Sequence, residues 1–125
     1  MNVKPVLIAI DDQKFYLDEI EFQVHGKNLD YRPFVGSSEF EEEVSDEDVK
    51  RAKLILVDYD FGRYTAVERN IAGYIRTKFP EFGGKIVLLS LLEDVVRDTP
   101  AVRNSFDAVI NKKNLTWDSI AAYLN

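Results

Sequence analysis

The sequence predicts an open, doubly wound parallel α/β sheet of five strands. Short apolar runs alternate five times with stretches whose apolar residues recur at helical spacing. The clearest runs are apolar at every position, as in strands covered on both faces. Four of the five stop abruptly at a polar or charged group, near Asp11, Asp58, Ser90 and Lys112. The length of 125 residues fits a single domain, residues 1–125.

Each element has its own justification. Val6 to Ile10 forms the first strand and ends at Asp11 and Asp12. Leu17, Ile20 and Val24 then mark the buried face of a helix, with Asp18, Glu19 and Glu21 on its other faces. Gly26 is its expected C-cap, and His25 sits where a helix dipole favours it. A second strand runs from Tyr31 to Val35. Pro33 has no N–H to give a ladder, so this strand belongs at an edge. Ser37 to Lys50, with seven acidic residues between Glu39 and Asp48, reads as a short charged helix and a loop, solvated throughout. Lys53 to Val57 is the third strand, ending at Asp58.

Thr65-Ala66-Val67-Glu68 matches a capping box, and Val67, Ile71 and Ile75 carry the predicted helix on to Phe79, where Pro80 stops it. Ile86 to Leu89 is the fourth strand and runs into Ser90. Thr99-Pro100 falls where the next helix should run. Proline belongs in a first helical turn, so a helix starting at Pro100 is expected, with Leu92 to Asp98 as a separate turn. Asp107 to Ile110 is the fifth strand, followed at once by Asn111, Lys112 and Lys113. Thr116 caps a last helix bearing Trp117, Ile120, Ala121 and Leu124. Right-handed crossovers place helices on both faces of such a sheet.

Composition excludes several classes. With 46% hydrophobic and 30% charged residues the chain is globular rather than disordered. No apolar run approaches the ~18 residues of a membrane span, and no leader is visible at the start, so a cytoplasmic location is expected. The absence of cysteine excludes disulfides and thiolate metal sites. Sixteen Lys and Arg against 22 Asp and Glu give a net charge of −6, which argues against a basic nucleic-acid face.

In a parallel sheet the strand ends share one edge, where ligands bind. Asp11, Asp12, Asp58, Ser90 and Lys112 therefore converge on one crevice. Three close carboxylates repel, and a hard divalent cation relieves that repulsion. Oxygen-only ligands suit Mg²⁺; zinc would need more than the solitary His25. A carboxylate beside Mg²⁺ can attack a phosphoryl group and become an acyl phosphate. The metal and a lysine neutralise the transferring oxygens, and a serine hydroxyl donates to one of them.

These residues resemble a response-regulator receiver domain of two-component signalling. Leu7-Ile8-Ala9-Ile10-Asp11-Asp12 is similar to the family's first strand and acidic pair. Leu54-Ile55-Leu56-Val57-Asp58 is similar to the strand bearing its phosphorylated aspartate. Leu88-Leu89-Ser90 matches the strand ending in Ser or Thr, and Val109-Ile110-Asn111-Lys112 the strand leading to its lysine. Ser90 and Lys112 are 22 residues apart, which fits the family. The resemblance implies a flavodoxin-like (βα)5 fold with strand order 2-1-3-4-5. It implies that Asp58 is the phosphoacceptor and that Asp12 ligates Mg²⁺ directly, Asp11 mainly through water. Asp60 lends its backbone carbonyl to the metal, and Ser90 and Lys112 bond the phosphoryl group. The implied partners are a sensor histidine kinase or phosphotransfer protein and a downstream protein target, with no nucleic acid and no membrane, and a homodimer through the last helices is compatible with the family. The implied role is regulatory rather than enzymatic.

The chain departs from the family at Lys113 in place of Pro, Val109 in place of an aromatic residue, and bulky Leu91 after Ser90. A fourth departure is a long segment after Asp58, since Gly73 lies 15 residues on where about eight is usual, so that Tyr59 to Ala66 is expected to overhang the site. Lys113, next to Lys112, competes with it for the lysine role. These departures motivate an alternative, a receiver-like interaction module that needs no phosphate. Asp58-Tyr59-Asp60 also echoes haloacid-dehalogenase phosphohydrolases, but there the nucleophile strand precedes the acidic pair, the reverse of the order here.

Overall fold

The computed structural model describes residues 3–124. Its main sheet is five-stranded and parallel. The strands are β1 (Val6–Asp11), β2 (Asp30–Val35), β3 (Ala52–Asp58), β6 (Lys85–Ser90) and β7 (Ala108–Asn111), ordered β2-β1-β3-β6-β7. Counting only these strands, the order is 2-1-3-4-5, as the resemblance implies. Pro33 does lie on the edge strand, opposite Ala9.

Alternation along the three central strands divides the core in two. Val6, Ile8, Ile10, Ile55, Val57, Ile86 and Leu88 face one side; Leu7, Ala9, Leu54, Leu56, Val87 and Leu89 face the other. On the second face pack Leu17, Ile20 and Val24 of α1 (Lys14–Val24) and Ile120 of α7 (Trp117–Ala121). On the first pack Phe40 of α2 (Gly36–Glu43), Val49 of α3 (Asp46–Arg51), and Ile71 and Ile75 of α4 (Ile71–Lys78). Val96 of α5 (Glu93–Arg97) and Val102 of α6 (Pro100–Ser105) complete that side. The sheet is therefore covered on both faces, which is why β1, β3 and β6 read as unbroken apolar runs.

Local chemistry explains most boundaries. Gly26, at φ 78°, terminates α1 in the left-handed region. The acidic stretch is two helices rather than one, because Ser45 accepts a hydrogen bond from the Asp48 N–H (3.0 Å) and restarts the chain. Pro100 occupies the first turn of α6 with Thr99 before it, and α5 is a separate short helix, as expected. Thr116 and Ser119 form a reciprocal capping box at α7. The fifth strand is shifted by one residue. Asp107 instead bridges, its carboxylate accepting from the Ile86 N–H (2.8 Å) and from Arg76 (3.1 Å).

The segment after Asp58 departs most from expectation. It contains a two-stranded antiparallel hairpin, β4 (Asp60–Phe61) and β5 (Tyr64–Thr65), joined by Gly62-Arg63. Gly62 has φ 76° and Arg63 a negative φ, the pattern of a hairpin turn with glycine first. Thr65 does accept from the Glu68 N–H (3.1 Å), but the turn it caps closes at Asn70, which is left-handed at φ 52°. The helix therefore starts at Ile71, not at Ala66. Gly73 leaves room for the Asn70 side chain, which would lie 2.5 Å from any Cβ there.

Candidate functional site

Two strand ends build the centre of the site. Ile10 pairs with Val57 in the parallel register, so the next residues, Asp11 and Asp58, lie side by side. Parity along the strands sends both toward the α1 and α7 side of the sheet. From β7 the chain turns into a short 3₁₀ helix, Lys112–Asn114, whose entry is fixed by the Asn111 side chain accepting from the Lys113 N–H (2.9 Å). That turn drives Lys112 inward, where its Nζ lies 2.8 Å from Asp58 Oδ1 and 3.0 Å from Asp11 Oδ2. Lys113 is exposed, so it does not compete for this position.

Carboxylate oxygens of Asp11, Asp12 and Asp58 all lie within 4.8 Å of one another. Asp11 and Asp58 are buried, whereas Asp12 is exposed at the mouth. A cleft of about 500 Å³ opens here, lined among others by Asp12, Asp58, Asp60, Gly62, Ser90 and Lys112. The hairpin contributes Asp60 and Gly62 to its lining, and Leu91 and Leu92 border it as well. Ser90 is buried and accepts from the Leu92 N–H (2.9 Å), which leaves its own hydroxyl proton free to donate. The Asp60 side chain accepts from the Gly62 N–H (3.1 Å) and so serves the hairpin turn.

The electrostatics follow from burial. Loss of solvent pushes the Asp58 carboxyl up to about 8; the Asp11 charge adds to the rise, while Lys112 and the Asp60 backbone N–H oppose it. Burial also raises Asp11, against the Gln13 N–H and Lys112. For Lys112 burial works against the charge, but the bonds and charges of Asp58 and Asp11 outweigh it and hold the ammonium protonated.

The donor set fits a hard cation. Asp11 Oδ2 is buried, and the Lys112 ammonium lies 3.0 Å from it. Three carboxylates, when ionised, carry more negative charge than this one ammonium balances, and a cation relieves the difference. Three carboxylates and no nitrogen or sulfur ligand suit Mg²⁺.

One contact at this site had no signal in the sequence. The ring centroid of Tyr16, in the first turn of α1, lies 3.9 Å from Lys112 Nζ. The two residues are far apart along the chain, and nothing local marks them as partners.

No helix among the described residues is long and apolar enough to cross a membrane. No protein-family model and no curated protein matches the chain. Solved structures do. The response regulator DrrB of Thermotoga maritima superposes with a TM-score of 0.71 at 17% identity, covering 96% of this chain and 50% of its own. The chain thus spans half the length of DrrB. A Burkholderia pseudomallei response regulator, solved with a phosphorylated aspartic acid, a calcium ion and citrate, matches at 0.73 and 16% identity, over 98% of this chain and 67% of its own. TrrA of Thermotoga maritima, solved in complex with Mg²⁺ and beryllofluoride, matches at 0.71 and 15% identity, over 94% of both chains. The chain has the fold of response-regulator receiver domains.

Proposed function

We propose that this chain is a phosphoacceptor signalling domain of a two-component or phosphorelay system. One observation carries the reading. At the ends of β1 and β3 and just beyond β7, a buried carboxylate pair is bridged by one ammonium at 2.8 and 3.0 Å beside an exposed third carboxylate. Structure maintenance gives no reason to collect these charges, since burying them is costly. The phosphorylated aspartic acid of the Burkholderia regulator and the Mg²⁺–beryllofluoride of TrrA support the same reading.

The chemistry assigns each group a task. The ionised form of Asp58 attacks the phosphorus of a phosphohistidine donor. The P–N bond breaks, its electron pair returns to the imidazole, and an acyl phosphate forms on Asp58. Asp11, Asp12, Asp58 and the backbone carbonyl of Asp60 would hold Mg²⁺, which supplies positive charge to the phosphoryl oxygens. Lys112 exchanges its bond to Asp58 Oδ1 for one to a phosphoryl oxygen. Ser90 donates its free hydroxyl proton to another, and the move shifts the β6–α5 loop that follows. The partners are a sensor histidine kinase or phosphotransfer protein on the donor side and a protein target on the output side. The role is regulatory, and the location cytoplasmic.

Incubation with Mg²⁺ and acetyl phosphate tests this. The expected result is a mass gain of one phosphoryl group, labile to hydroxylamine and absent from Asp58→Asn. No gain on the wild type, or an equal gain on the variant, overturns it. Partner binding that ignores beryllofluoride would instead favour a phosphate-independent interaction module.

A further inference from the structure

We propose that Tyr16 is a positioning residue for Lys112, holding the ammonium in place while it changes partners during phosphoryl transfer. The inference rests on the phosphoacceptor reading and deepens it. The Asp58 and Asp11 carboxylates lie 2.8 and 3.0 Å from Lys112 Nζ. The centroid of the Tyr16 ring lies 3.9 Å from the same nitrogen. Lys112 lines the cleft and Tyr16 does not, so the ring meets the ammonium from outside the space a phosphoryl group would enter.

The placement of Tyr16 is built in. Its N–H donates to the Gln13 carbonyl (3.1 Å), and the Gln13 N–H donates to Asp11 Oδ1 (2.8 Å). The turn that presents Asp11 therefore also presents Tyr16. The ring is half-buried against the core face shared by α1 and α7, and meets Phe15 edge-on with centroids 5.3 Å apart.

The physical role follows from what a ring does and an alkyl chain does not. An aromatic face attracts a cation without demanding a fixed direction. When Lys112 releases Asp58 Oδ1 for a phosphoryl oxygen, a directed partner would have to be broken, whereas the ring attraction persists through the small displacement. A leucine would exclude water equally but return nothing for the lost hydration.

Three proteins and two readouts test the proposal: wild type, Tyr16→Phe and Tyr16→Leu. With acetyl phosphate and saturating Mg²⁺, Tyr16→Leu is expected to lose about tenfold in the rate constant of phosphorylation, within the range that cation–ring contacts span. Tyr16→Phe should keep the wild-type rate, because the ring and not the hydroxyl touches Lys112. Mg²⁺ affinity should be equal in all three. An unchanged rate in Tyr16→Leu, or an equal loss in Tyr16→Phe, overturns the proposal. The second readout needs no phosphate: the Lys112 side-chain ε-proton NMR signals should be shifted upfield by the ring in wild type and Tyr16→Phe but not in Tyr16→Leu. If the wild type takes up no phosphoryl group, the phosphoacceptor reading falls. The NMR shift then decides alone whether Tyr16 holds Lys112, and its absence from wild type overturns the contact itself.

Discussion

Replacing Asp58 by Asn should stabilise the metal-free protein, and the gain should grow with pH. Burial holds the Asp58 carboxyl up to about 8, against an ordinary value near ~4 for an aspartate in an unfolded chain. The native state thus keeps a proton that the unfolded state has released. Stability from this group is complete below about pH 4 and is lost as pH rises toward ~8. One proton gives a slope of at most ~1.4 kcal/mol per pH unit, or ~2.7 kcal/mol between about pH 5.5 and 7.5. Because Asp11 titrates with Asp58, the loss spreads over a wider range, and ~1–2 kcal/mol is expected in that window. An Asn amide keeps the shape and an acceptor oxygen for Lys112 but has no charge to desolvate. At this chain length ~1–2 kcal/mol corresponds to a melting temperature raised by roughly 4–10 °C. The assay is thermal unfolding by circular dichroism in EDTA, at steps from about pH 4 to 8. Curves for the two proteins that coincide at every pH, or a variant that is less stable at the alkaline end, would refute the reasoning.

The remaining predictions use the same site and its hairpin. Lys112→Met leaves the Asp11–Asp58 pair buried without the ammonium beside it, and should cost ~3 kcal/mol at about pH 8 and above by denaturant unfolding, and less at lower pH, where the carboxyls hold protons. Mg²⁺ should raise the melting temperature of wild type, by the equivalent of ~2.7 kcal/mol at a hundredfold excess over its dissociation constant. That gain should shrink from about pH 8 to 6, because protons and metal compete for Asp58; chelation with EDTA should reverse it. Gly62→Ala should cost ~1 kcal/mol in thermal unfolding, since φ 76° strains any Cβ although nothing lies near enough to clash with it.

What the sequence made legible was whatever depends on short-range rules. The unbroken apolar runs of β1, β3 and β6 announce strands buried on both faces, and Pro33, Pro100 and Thr116 mark an edge, a helix start and a cap where they are found. The pairing of Asp11 with Asp58 follows from strand order and register, and Lys112 joins them through the turn that the Asn111 side chain fixes after β7. The segment from Asp60 to Asn70 did not yield to these rules. Thr65-Ala66-Val67-Glu68 has the composition of a helix start, and its capping bond does form, but the hairpin register of Thr65 with Asp60 and the left-handed Asn70 confine the helix to residues beyond it. Tertiary pairing there overrides a local preference. The contact of Tyr16 with Lys112 was hidden for the opposite reason: it joins the first helix to the last strand's exit, and no periodicity connects them.

Whether Asp58, the acidic pair and Lys112 act together as one magnesium-dependent phosphoryl site is decided by a single measurement. Fluorine NMR of beryllofluoride added with Mg²⁺ asks this directly, since the adduct mimics a phosphoryl group on a carboxylate. Bound-fluoride resonances that appear for wild type only when Mg²⁺ is present, and are missing from Asp58→Asn, are the predicted result. No bound resonance on the wild type, or the same resonances on Asp58→Asn, would contradict it.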